Sequence, residues 1–132
     1  MERGEVLSRL RGLLEPKEEI IFAYLHGSFA EGLPYNDIDL AVYVDRARVE
    51  DLFDYEMDLS VELTRTLRFP VDVQVLNDAP LGFKHSVLQG EPILVRDEEF
   101  LADFIEHVAR EYMDFAYLGR MYLEELLRKW SD

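Results

Sequence analysis

An α/β fold, with a mixed sheet flanked by helices and a long helical extension at the C-terminal end, is what this 132-residue sequence predicts. Three observations point to it. Over residues 1–96, short apolar runs of strand length are interspersed with segments of helical periodicity. One run, IIFAYL at 20–25, is apolar throughout, as a central strand covered on both faces requires. From Asp97 onward the periodicity is helical to the end of the chain, leaving one plausible seam, near residue 97. The chain therefore divides into a core, 1–96, and a helical extension, 97–132, that packs on it as part of a single domain.

Each element has its own signal. In EVLSRLRGLL, 5–14, Val6, Leu7, Leu10, Leu13 and Leu14 recur at helical spacing, and Pro16 stops the helix. After the 20–25 strand, Gly27 and Gly32 bracket a loop that Pro34 and Asn36 continue. The next strand, DIDLAVYV at 37–44, alternates: Ile38, Leu40, Val42 and Val44 share one face, Asp37, Asp39, Ala41 and Tyr43 the other. Residues 47–68 read as a helix whose apolar stripe is Val49, Leu52, Phe53, Met57, Val61, Thr64 and Leu67. VDVQVL, 71–76, is a third strand, with Asp72 and Gln74 opposite Val71, Val73 and Val75. A short helix around 79–89 and a strand or edge segment at 92–96 follow. In the extension, Phe100, Phe104, Val108, Tyr112, Phe115, Tyr122, Leu126 and Trp130 form an aromatic-rich stripe, with Gly119 a kink or close-approach point. Phe100, Phe104 and Val108 are expected to dock on the sheet, leaving Tyr122 to Trp130 for a partner.

Composition narrows the function classes. With 28 acidic residues against 14 basic, the formal net charge is −14, a field that repels phosphate backbones and argues against general nucleic-acid coating. The same charge suits a basic partner or carboxylates that hold divalent cations. There is no cysteine, so disulfides and thiolate metal sites are excluded. No apolar run is long enough to span a bilayer and the N-terminus is too charged for a secretory signal, so a cytoplasmic location is expected.

The chemistry gathers in HGSFAEGLPYNDIDL, 26–40. Asp37 and Asp39 are two apart on a strand, so their carboxylates leave the same side of the sheet. If the VDV strand pairs nearby, Asp72 adds a third carboxylate, and an acid among valines itself calls for a partner. Clustered carboxylates raise one another's pKa unless cations sit between them, and hard oxygen ligands favour Mg²⁺ or Mn²⁺. Two such ions about 4 Å apart form the clamp for in-line displacement at phosphorus. Gly27 lets a phosphate approach the backbone, Ser28 offers a hydroxyl, and the following amides can complete an anion site. Phosphate cradle beside metal carboxylates is the arrangement of nucleotidyl transfer. A lone D-x-D is common and often only caps a loop; the combination with Gly27, Ser28 and Asp72 is what favours chemistry.

These residues, HGSFAEG…NDIDLAV followed by VDVQVL, resemble the minimal nucleotidyltransferase (MNT) branch of the DNA polymerase β-type nucleotidyltransferase superfamily. The resemblance covers essentially the whole chain and implies a nucleotidyltransferase-like sheet. By it, Gly27 and Ser28 take the triphosphate-binding positions, and Asp37 and Asp39 take the metal-ligand positions. Asp72 takes the position of the third carboxylate, which binds metal and activates the acceptor hydroxyl. It implies ATP as substrate and two Mg²⁺ ions. FIEHVAREYMDFAYL also resembles the C-terminal helix of MNT antitoxins paired with HEPN ribonuclease toxins. The implied partner is thus a HEPN-type toxin, neutralised by transfer of AMP to a tyrosine or by contact alone; modification of a small molecule is a further alternative. Two departures stand out. The segment between Ser28 and Asp37 is shorter than the family's commonest spacing, and Glu31 stands where many relatives carry a basic residue.

Three histidines complete the inventory. His26 precedes Gly27, where it either touches a nucleotide or packs at the sheet end. His85 and His107 lie in separate helical segments with no zinc-ligand spacing. Tyr43 shares the aspartate face and is expected to be core.

Overall fold

The computed structural model describes residues 2–131; Met1 and Asp132, the outer limits of the two expected segments, lie outside the described residues. Strands β1 (Ile20–His26), β2 (Ile38–Val44), β3 (Val71–Val75) and β4 (Glu91–Val95) form one mixed sheet in the order β3-β2-β1-β4. The pairs β1/β2 and β1/β4 are antiparallel, and β2/β3 is parallel. Helices α1 (Arg3–Leu14) and α3 (Leu52–Leu67) cover one face; α4 (Leu81–Leu88) and the first part of α5 (Glu98–Ser131) cover the other. A one-turn helix, α2 (Gly27–Ala30), stands where the sequence suggests a loop.

Alternation within the strands divides the core. Ile38, Leu40, Val42 and Val44 meet Val6, Leu10 and Leu14 of α1 and Leu59, Leu63 and Leu67 of α3. Each fully buried leucine contributes about 1.5–3 kcal/mol. On the opposite face Phe22, Tyr24 and Ala41 pack with Val87 of α4 and Leu101 of α5, and Tyr43, Phe100 and Phe104 ring Phe22 at 5.4–6.4 Å. Phe100 and Phe104 pack on this face of the sheet as expected, Val108 is buried, and Tyr43 is partly buried against the same cluster. The α1–β1 connection is held by Arg96, just past β4. Its guanidinium donates to the Ile20 carbonyl at 2.7 Å and to the Leu14 and Lys17 carbonyls, both at 3.1 Å.

Helix α3 departs from the sequence expectation in start and in phase. It begins at Leu52, where the Asp51 carboxylate accepts from the Asp54 amide at 3.0 Å, so residues 47–51 are not helical. Of the expected stripe, Val49 and Leu67 are buried but Phe53, Met57 and Val61 are exposed, and Leu59 and Leu63 take the inner positions instead. The reason is the edge strand β3. Its outward amides at Val71, Val73 and Val75 donate to Thr64 Oγ1 (3.0 Å), Ser60 Oγ (3.0 Å) and Glu56 Oε2 (2.8 Å). A stripe of polar side chains spaced four apart must face the strand, and this rotates the Phe53–Met57–Val61 stripe to solvent. At the other edge, Pro92 lacks an amide hydrogen and Arg11 Nε donates to the Ile93 carbonyl at 3.2 Å.

The extension is one helix of 34 residues, about 51 Å long at 1.5 Å per residue. Leu101 and Val108 are buried, whereas residues 111–130 are all exposed. The helix runs unbroken through Gly119, where a Cβ would meet nothing within 4 Å, so that glycine marks neither a break nor a close approach. No helix among the described residues is long and apolar enough to cross a membrane.

Candidate active site

The site is built by strand register. His26 of β1 lies opposite Asp39 of β2, and Asp39 lies opposite Asp72 of β3. Residues directly opposite one another share a face, so imidazole and two carboxylates leave the same side of the sheet in one row. Asp37 sits one residue before β2 begins, on solvent. Asp72 is exposed too. It therefore needs no buried partner, contrary to the sequence argument, and register alone brings it to the row.

Gly27 ends β1 and opens α2 with φ +73°, a conformation that suits glycine. A Cβ there would collide with the Asp39 carboxylate, lying 3.3 Å from its Cγ. The glycine turn and the central carboxylate are thus in direct contact, which sequence spacing cannot reveal. Ser28 is exposed at the start of α2, and Phe29 is buried and pins it. Phe29 meets Tyr35 edge-on at 4.8 Å and lies 5.1 Å below the Arg3 guanidinium, which donates to the Phe29 carbonyl at 2.6 Å. Arg3 also pairs with Glu91. No sequence signal marks Arg3, because its partners are 26 and 88 residues away.

Electrostatics follow the geometry. Burial, then the charge of Asp37, push the Asp39 carboxyl above the usual range, with Asp72 adding to the rise and His26 opposing it. Burial lowers the basicity of His26, against the pull of Asp39 and Asp72. Its ring stands edge-on to Phe83 at 5.5 Å, and its buried Nε2 has no hydrogen-bond partner within the protein. A cavity of about 410 Å³ opens beside this row between α2, α4 and the start of β4; His26, Gly27, Glu31, Ser86, Gln89 and Glu91 line it. A larger, shallower depression of about 890 Å³, near Arg48 and Asp58, holds none of these groups and is not the candidate site.

Among the described residues, no three His, Asp or Glu side chains stand close enough together to hold a metal by themselves. The donor set nevertheless fits Mg²⁺ or Mn²⁺. Magnesium keeps several waters and takes one or two carboxylates together with substrate phosphates, rather than a closed protein cage. Burial first and the charge of Asp37 second raise the Asp39 pKa, and a cation between the carboxylates would offset the second of these.

A mixed sheet carrying a glycine turn against a row of carboxylates is an arrangement suited to nucleotidyl transfer. The family model for polymerase beta nucleotidyltransferases matches residues 8–99, and the chain belongs to that family. Solved structures agree on the fold over nearly the full length. The complex of tri-AMPylated Shewanella oneidensis HEPN toxin with MNT antitoxin contains a chain that superposes with a TM-score of 0.71 at 19% identity, covering 96% of this chain and 99% of that one. A toxin–antitoxin structure with AMP-PNP gives 0.71 at 20% identity, covering 92% and 98%. The MntA–HepT toxin–antitoxin gives 0.69 at 17% identity, covering 94% and 98%. No curated protein matches the sequence.

Proposed function

We propose that this chain is an antitoxin-type nucleotidyltransferase that moves AMP from ATP to a tyrosine hydroxyl of a HEPN ribonuclease toxin. The observation that carries the reading is the contact of Gly27 with Asp39 while Asp72 stands in register beside it. Gly27 and Ser28 hold the triphosphate, with the backbone amides at the start of α2 as donors. Asp37, Asp39 and Asp72 would hold Mg²⁺, which when bound neutralises the phosphates and stabilises the attacking and leaving oxygens. Asp72, at the outer end of the row and on solvent, accepts the proton of the acceptor hydroxyl. The hydroxyl oxygen forms the new bond to the α-phosphorus, the bond to the bridging oxygen breaks, and pyrophosphate leaves. The solved relatives that support this reading include a tri-AMPylated toxin complex and a complex with AMP-PNP. The exposed half of α5 supplies the partner-docking element.

One observation favours a second reading, neutralisation by contact alone: the cavity wall carries Glu31, a charge hostile to a triphosphate, whereas Glu91 beside it is already paired with Arg3. Incubation with α-labelled ATP, Mg²⁺ and the partner toxin separates the two. Transfer by the wild type that is lost in Asp39→Asn and Asp72→Asn supports the enzyme. Equal labelling by Asp39→Asn removes the mechanism, and toxin silenced without any label establishes the contact reading.

A further inference from the structure

Beyond its docked stretch, α5 is a lever. Phe100, Leu101, Phe104 and Val108 fasten it along a base of about 12 Å, and Met113 to Trp130 project for about 27 Å at 1.5 Å per residue. On so short a base, a swing of about 10° at the root moves the tip by about 5 Å. Transfer tolerates far less, because reacting atoms must meet at about 3–3.5 Å and a misplacement of about 1 Å costs about a hundredfold.

One contact sits where the lever leaves the body. His85 of α4 stacks face to face on Tyr112 of α5, with ring centroids 3.7 Å apart and planes at 6°. The other aromatic pairs linking α5 to the body are tilted or edge-on at 5.0–6.4 Å. The stack extends the base to about 18 Å, half as long again. The helix that supplies His85 also supplies Phe83, whose ring meets His26 in the carboxylate row. A single short helix thus touches both the site and the root of the projecting arm.

We infer that the His85–Tyr112 stack is the positioning contact that fixes the direction of the exposed half of α5, and with it the placement of the docked partner's acceptor relative to Asp72. The role in transfer rests on the proposed function; the fixing of the arm does not. His85 and Tyr112 are positioning residues, since neither belongs to the carboxylate row.

The chain has no cysteine, so Arg65→Cys and Glu124→Cys place two spin labels without background, one on α3 and one on the arm. Pulsed electron resonance on the full chain reads the distance distribution between them. A narrow distribution is expected in the wild type and Tyr112→Phe, and a broad or shifted one in Tyr112→Ala and His85→Ala. Transfer to the toxin is expected to fall at least about tenfold in the alanine variants, with nucleotide affinity unchanged and Tyr112→Phe restoring the rate. An unaltered distribution in both alanine variants overturns the inference, as does a broadened arm with undiminished transfer. Wild-type protein that transfers no label removes the proposed function, and the distances still decide the stack.

Discussion

At the scale of single residues, the site is a contest between stability and chemistry centred on Asp39. An acid whose pKa is higher folded than unfolded binds its proton more tightly in the fold. The native state therefore gains stability as pH falls through the folded value, and it carries a penalty near neutrality. In metal-free protein at pH 7, Asp39→Asn is accordingly expected to raise the melting temperature in a thermal melt, the reverse of its effect on transfer. In an NMR titration, Asp37→Asn should lower the Asp39 pKa, because Asp37 is the largest charge raising it. An unmoved Asp39 titration would contradict that assignment. Gly27→Ala carries the opposite sign. Its methyl group meets the Asp39 carboxylate and its backbone keeps positive φ, so a loss of about 2 kcal/mol in urea unfolding is expected, together with loss of transfer. Part of this row is legible in the sequence, because the alternation of 37–44 puts Asp39 on the face opposite Ile38, Leu40 and Val42; that β2 starts only at Ile38, leaving Asp37 before it, is not. The contact of Gly27 with Asp39 and the clasp of Arg3 on α2 are not legible either, since both depend on how distant segments cross.

Among the elements, α3 shows where hydrophobic periodicity misleads. The sequence offers two apolar stripes, Phe53–Met57–Val61 and Leu59–Leu63–Leu67, and nothing local says which is buried. The unpaired amides of β3 decide it through Glu56, Ser60 and Thr64. Equilibrium denaturation should reveal the order directly. Phe53→Ala is expected to change stability by less than about 0.5 kcal/mol, Ser60→Ala to cost about 1 kcal/mol, and Leu63→Ala about 2–5 kcal/mol. A larger loss at Phe53 than at Leu63 would restore the phase expected from sequence. The strand order itself was within reach of the pattern only in part. The apolar run of β1 marks it as central, but that β3 runs parallel to β2 follows from the α3 crossover, which periodicity reports as a helix and not as a connection.

For the molecule as a whole, the exposed residues of α5 from Met113 to Trp130 include Phe115, Tyr117, Leu118, Met121, Leu123 and Trp130. An apolar surface of this extent is what the docking role proposed for α5 requires. Ending the chain after residue 111 removes the arm and leaves every buried core residue in place. Such a chain should melt within a few degrees of the full one and no longer retain the toxin in size-exclusion chromatography; persistent co-elution would place the docking surface elsewhere. The closing of both sheet margins then takes on a wider meaning. With side chains of α3 occupying the amides of one border strand, and Pro92 and Arg11 interrupting the other, no foreign strand finds a template on which to grow. A partner on the proposed docking surface would then meet α5 helix against helix, and a chain that exposes so apolar an arm is kept from polymerising through its sheet.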